Sequence, residues 1–128
     1  MKKLITAGLL LLSMATLAQT KTGTYGSVRT NHYKKYPYIS SYNVVNKSGS
    51  MTVLSNSIKI DTAVYTIVRT DKLIDADEGM FVKPIAVVYS SKTGLKVTTG
   101  EILLSADKKV LAVYLRKSKS TELVYNFN

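Results

Sequence analysis

Between Ser50 and Thr70 the chain alternates apolar and polar positions with a period of two. "SMTVLS" (Ser50 to Ser55), "SIKID" (Ser57 to Asp61) and "VYTIVRT" (Val64 to Thr70) are short runs rich in β-branched and aromatic residues, broken at Asn56 and at Asp61-Thr62. In the second run Ile58 and Ile60 fall on one side and Lys59 and Asp61 on the other, which predicts a strand with one wet face. "DKLIDADEG" (Asp71 to Gly79) gathers acids around a turn, and "MFVKPIAVVYS" (Met80 to Ser90) is the longest apolar strand. Pro84 has no N–H to give to a ladder, so this strand is expected at a sheet edge or bulged. "SKTG" (Ser91 to Gly94) predicts a hairpin loop in which Gly94 can take a positive φ, leading into "LKVTT". "GEILLS" and "VLAVYLR" flank the polar turn "ADKK", and "TELVYNFN" puts Leu123, Tyr125 and Phe127 on one face. Short links pair neighbouring strands antiparallel.

No window outside the N-terminal segment carries a 3.6-residue stripe. The pattern predicts an all-β domain, a small antiparallel meander of about seven to nine short strands forming a barrel or a two-layer sandwich. Thr20 to Ser27 is polar and reads as a flexible lead-in (19–27) to a single domain over 28–128, in which Val28 to Val45 is the stretch least defined by pattern. The strands from Met51 to Val68 resemble in architecture the meanders of lipocalin-like proteins, without the tryptophan that marks the start of the classical ones; the likeness transfers no functional residue.

The first eighteen residues follow a different logic. Lys2 and Lys3 precede the apolar run "LITAGLLLL" (Leu4 to Leu12), and Thr16 and Ala18 supply small residues before a cleavable bond. This is the pattern of a secretory signal peptide over 1–18, with a mature N-terminus at Gln19 and an exported, periplasmic or extracellular product. The run is too short for a comfortable span, which needs about 20 apolar residues. The chain has no cysteine, which excludes disulfides, thiolate metal sites and lipid attachment through cysteine. Stability has to come from the packed core.

Charge narrows the choice of partner. There are 18 basic and 8 acidic side chains, a formal net charge of +10 to which Lys2 and Lys3 contribute two. From Gln19 to Ile60 there are Lys21, Arg29, Lys34, Lys35, Lys47 and Lys59 and no acid, and a second basic group, "RKSK" (Arg116 to Lys119), lies near the C-terminus. Such a balance favours an anionic molecule or surface. Nucleic acid is disfavoured, because no nucleic-acid-binding motif accompanies the charge.

"HYKKYPYISSY" (His32 to Tyr42) concentrates four tyrosines, two lysines and the single histidine. Tyr36, Tyr38 and Tyr42 share a parity, as do Tyr33, Lys35 and Ile39, while Pro37 interrupts any central ladder. One reading is an exposed aromatic and basic platform of Tyr33, Lys34, Lys35, Tyr36, Tyr38 and Tyr42, with rings stacking on a ligand and lysines holding its charge. The other is that tyrosine is simply a good strand residue, apolar in body and polar at its tip.

Catalytic chemistry has little to work with. His32 is the only imidazole and no serine stands in a nucleophile motif, so no catalytic residue is assigned. Asp71, Asp75, Asp77 and Glu78 lack calcium-loop spacing and fit a solvated turn, and no cofactor fingerprint or metal-ligand spacing occurs. The expected function is therefore that of a non-enzymatic exported binding module for a small apolar or an anionic ligand. Two alternatives remain: an inhibitor or envelope-associated protein docking by a sheet edge, at the Pro84 strand or the terminal Thr121 to Asn128 strand, and a small hydrolase of an acidic polymer using His32 or the pair Asp75 and Glu78.

Overall fold

The computed structural model describes residues 20–91 and 94–128. The expected signal peptide lies outside the described residues, as do Lys92 and Thr93 of the expected hairpin loop. Eleven strands follow in order: β1 (Lys21–Tyr25), β2 (Val28–Lys35), β3 (Tyr38–Val45), β4 (Gly49–Val53), β5 (Ser57–Ile60), β6 (Ala63–Thr70), β7 (Ile74–Asp75), β8 (Phe81–Ser91), β9 (Gly94–Leu104), β10 (Val110–Arg116) and β11 (Thr121–Asn126). A single 3-10 turn at Asp77–Gly79 interrupts them.

All strands belong to one antiparallel sheet, ordered β1-β4-β5-β6-β8-β9-β10-β11-β2-β3, with β7 pairing β8 beyond the end of β6. The ladder does not close. A twisted sheet of this width curls rather than lying flat, and register shifts in β2–β3, β6–β8 and β9–β10 add bends. The curl brings distant strands together. Tyr25 of β1 meets Tyr125 of β11 edge-on with ring centroids 5.3 Å apart, and the Asn128 backbone N–H donates to the Thr24 carbonyl at 2.9 Å. The concave face thus holds one core, in which Met51, Val53, Ile58, Val87, Leu104, Val113 and Leu115 are almost fully buried.

Several expectations change. Eleven strands form rather than seven to nine, because the stretch expected as a lead-in supplies β1 and the weakly patterned stretch supplies β2 and β3. β1 pairs β4 from Lys21 to Tyr25, and the Tyr25 ring is buried in the core, where its hydroxyl donates to Asp61 Oδ2 at 2.6 Å. A polar-looking segment can form an ordered edge strand when one aromatic anchor and a ladder to its single neighbour hold it. Neither strand expected at an edge is one: β8 lies between β9 and β6/β7, and β11 lies between β10 and β2. Pro84 is tolerated inside because a residue's N–H and C=O point to the same side of a strand. Its carbonyl accepts from the Asp71 N–H at 2.9 Å, so the missing N–H faces the gap between β6 and β7, where no ladder bond is due. The edges are β1 and β3. Gly94, with φ of 117°, takes the expected positive value.

Candidate functional site

The outer face of the sheet carries a second packed region, polar rather than apolar. Cross-strand register sets Glu122 of β11 between Asn31 of β2 and Arg116 of β10, and Arg116 in turn opposite Thr99 of β9. Glu122 is 5% exposed and Asn31 3%, unusual for such residues unless they are paired. They are. The Tyr33 hydroxyl donates to Glu122 Oε1 at 2.5 Å, Asn31 Nδ2 donates to the same oxygen at 3.2 Å, and Arg29 Nε donates to Asn31 Oδ1 at 2.8 Å. No buried side-chain nitrogen or oxygen among the described residues lacks a partner. A fully satisfied network in a low-dielectric setting is rigid, so it fixes the β2 backbone against β11.

On this floor rests Tyr36, in the turn between β2 and β3. Its ring lies edge-on to Tyr33 at 5.1 Å, and the Arg116 guanidinium sits over it at 3.8 Å. Burial raises the Tyr36 phenol, as do the charges of Glu101 and Glu122, with Arg116 opposing. Burial also raises the Glu101 carboxyl, and the charge of Glu122 adds to this, while a hydrogen bond from Tyr36 lowers it. Tyr33 is raised as well, by burial first and then by its bond to Glu122.

Beside Tyr36 opens a groove of about 640 Å³ lined by Lys34, Val97, Arg116, Lys117 and Lys119, with the hydroxyls of Thr98, Thr99 and Ser118. The turn between β10 and β11 presents these cations. Lys117 N–H donates to the Thr121 carbonyl at 2.9 Å, Arg116 Nη2 reaches the Lys119 carbonyl at 3.4 Å, and the Thr98 hydroxyl donates to the Arg116 carbonyl. No carboxylate lines this groove, and among the described residues none of its four cations forms a salt bridge. A smaller recess of about 200 Å³ adjoins it through Tyr36, Thr99 and Arg116, and there Glu101, Glu122 and Asp71 contribute acceptors.

The six residues expected as one platform do not form one. Lys34 and Tyr36 line the cationic groove, and Tyr33, 7% exposed, belongs to the floor beneath it. Lys35 and Tyr38 flank the turn, exposed, and Tyr42 lies under the Arg29 guanidinium at 4.0 Å in a separate groove on β3. The turn at Tyr36-Pro37 and the bulges of β2–β3 break the parity that a continuous strand would have kept. Arg116, Lys117 and Lys119 joined the site from the "RKSK" group, a signal visible in the sequence though not its proximity to Lys34. Glu122 was legible too: it shares parity with Val124 in a strand whose other face is Leu123 and Tyr125, the mark of a strand buried on both sides.

None of the residues of the catalytic alternatives lines the cationic groove. His32 Nε2 shares a hydrogen bond with Asn43 Oδ1 at 3.1 Å, exposed on β2–β3. Asp75, Asp77 and Glu78 are exposed around the 3-10 turn, and no group of three or more His, Cys, Asp or Glu among the described residues could hold a metal ion. No helix among the described residues is long and apolar enough to cross a membrane. No family model, curated protein or solved structure matches the chain. The site therefore has to be read from its chemistry alone.

Proposed function

We propose that the protein is an exported, non-enzymatic binding module that holds an anionic ligand in the groove of Lys34, Tyr36, Arg116, Lys117 and Lys119. One observation carries the reading: four cations that form no salt bridge among the described residues surround a groove whose central ring is held by Tyr33 and Arg116. Phosphate, sulfate and carboxylate groups all suit such a site, with Arg116 able to offer a fork and the lysines point charges. The apolar-ligand alternative has less support, since the concave interior is filled by its own side chains. Export rests on the N-terminal pattern. The contact of Asn128 with Thr24 supports treating the rolled sheet as a small, partly open barrel rather than a sandwich.

The test is calorimetric titration with sodium tripolyphosphate. Binding is expected to weaken steeply with added salt and to fall about tenfold or more in the Lys117→Glu/Lys119→Glu variant. No heat at low salt, or binding indifferent to the variant, overturns the reading.

A second reading has its own observation. β3 is an open edge in which all eight residues are exposed and none is charged, the profile of a strand that can accept another. It predicts self-association or partner capture that Ser41→Lys abolishes, measurable by sedimentation equilibrium.

A further inference from the structure

The cationic groove has an apolar rim that a soluble anion leaves unused. Leu95, Tyr38 and Val97 are the most exposed large hydrophobic side chains among the described residues, at 76%, 73% and 70%. They are not scattered. Leu95 and Val97 stand two apart on β9 and so share a face, and Val97 itself lines the groove with Lys34, Lys117 and Lys119. Tyr38 follows the turn that carries Tyr36.

Strand lengths explain why this rim projects. β10 stops at Arg116, opposite Thr99, and the paired part of β6 stops at Thr66, opposite Val88. The hairpin of β8 and β9 continues past β10 at Val97, opposite Val88, and past the paired part of β6 at Leu95, opposite Ser90. The continuation from Thr99 to Leu95 extends roughly 14 Å at the usual rise of a strand. The turns bearing Lys34, Lys35 and Tyr38 and those bearing Lys117 and Lys119 lie at the same end, because Thr121 pairs His32 and Arg116 pairs Glu122.

We infer that this end of the sheet docks on an anionic phospholipid bilayer, with Leu95 and Val97 entering the acyl boundary, Tyr38 at headgroup level and the groove's lysines on lipid phosphates. The inference rests on the reading of the groove as an anion site and names its ligand as a lipid surface. Aliphatic side chains rising beside a lysine-rich groove match the one partner that stacks a phosphate layer directly on an apolar phase, over a depth of about 5–10 Å. A soluble polyanion satisfies the lysines but offers Leu95 and Val97 nothing. A base-stacking partner would call for aromatic rings where these aliphatic chains stand. Lysine stems can lie along apolar surface while their ammonium groups stay at the phosphates, and tyrosine suits the headgroup layer for the same amphipathic reason.

The chain contains no tryptophan, so a single introduced one reports on its own position. Leu95→Trp is titrated with vesicles of phosphatidylcholine and with vesicles in which about a third of the lipid is phosphatidylglycerol. Val68→Trp, at an exposed position on β6, serves as the control. The expected result is a blue shift and enhanced emission at position 95 with the anionic vesicles alone, and no shift at position 68. This readout is local, so membrane binding through the apolar N-terminal segment cannot produce it. In the unlabelled protein, Leu95→Ser is expected to weaken co-sedimentation with anionic vesicles about tenfold, leaving tripolyphosphate binding within about twofold because Leu95 does not line the groove and the cations are untouched. If tripolyphosphate binds while position 95 shows no shift, the groove reading stands and the lipid inference falls. Failure of tripolyphosphate and vesicles alike removes both. Equal shifts with neutral and anionic vesicles overturn the charge half of the inference.

Discussion

Removing one hydroxyl tests whether the polar floor beneath the groove is a structural unit. In Tyr33→Phe the ring keeps its edge-on contact with Tyr36, and only the bond to Glu122 Oε1, at 2.5 Å, is lost. Glu122 is 5% exposed, so water cannot readily replace the missing donor, and Asn31 Nδ2 at 3.2 Å is left to serve that oxygen. A hydrogen bond to a charged group contributes about 1.5–3 kcal/mol, so the variant should lose about 2 kcal/mol. In a Glu122→Gln background the tyrosine donates to a neutral amide oxygen, and neutral bonds are roughly half as strong. The same substitution there should cost about 1 kcal/mol, leaving a coupling energy of about 1 kcal/mol between the two positions. Urea unfolding at neutral pH measures all four corners of the cycle. With a slope near 2 kcal/mol/M, the first variant's midpoint should drop by about 1 M. A loss under about 0.5 kcal/mol, or an equal loss in both backgrounds, refutes the claim that the hydroxyl is held by a buried carboxylate. Tripolyphosphate affinity should stay within about twofold in Tyr33→Phe, since the lost hydroxyl faces the floor and not the groove.

Three further outcomes follow from other parts of the molecule. Leu104→Ala, at a position with no exposed surface in the main core, should cost about 2–5 kcal/mol in urea unfolding. Gly100→Ala should cost about 3 kcal/mol or more, because a Cβ there meets the Tyr114 carbonyl of the neighbouring strand, and a near-neutral melt would show the β9–β10 approach to be looser. Glu101→Gln should stabilise the protein at pH 7: the Glu101 carboxyl is raised in the fold, chiefly by burial, so the proton is held more tightly there than in the unfolded chain. That contribution is fully present below the ordinary carboxyl value and is lost as pH rises through the folded one. The variant's advantage should therefore fade as melts are repeated toward acid pH, and an advantage independent of pH would refute the assignment.

The inner face was largely legible in the sequence, and the outer face much less so. Period-two alternation placed Ile58 and Ile60 on one side because one wet face leaves an alternating trace, and both are buried in the core. The reading of Pro84 as an edge or a bulge leaves out a third arrangement, a missing N–H that faces the gap between β6 and β7; that side depends on where β6 ends and β7 begins, information held by neighbouring strands. β1 was hidden because a strand with small residues and one tyrosine carries almost no alternation. The six platform residues are separated for a related reason: parity holds only while a strand runs straight, and a turn plus two register shifts leave Tyr33 on the floor, Tyr36 in the groove and Tyr42 in a separate groove on β3. Only the sheet order brings Lys34 beside Lys117 and Lys119, some eighty residues away along the chain, through β11 pairing both β10 and β2.

Charge along the strand axis connects the fold to the proposed function. At the Phe81 end of β8, Lys108 and Lys109 share a turn with Asp107, which Lys109 pairs at 3.6 Å, and Asp75, Asp77 and Glu78 lie around the 3-10 turn that precedes β8. At the opposite end Lys34, Lys35, Lys96, Lys117 and Lys119 have no acid in their turns. These turns thus carry both signs of charge at one end and positive charge alone at the other, roughly 32–34 Å away by the length of β8. Such an asymmetry orients the molecule in the field of a negative surface before contact, groove end first. Orientation of this kind acts on the association rate and weakens with ionic strength, whereas the apolar rim acts after contact and does not. Stopped-flow mixing of the Leu95→Trp protein with anionic vesicles should accordingly show association slowing with salt while dissociation responds chiefly to Val97→Ser. A salt-insensitive association rate would mean that the groove end gains nothing from its unmatched lysines.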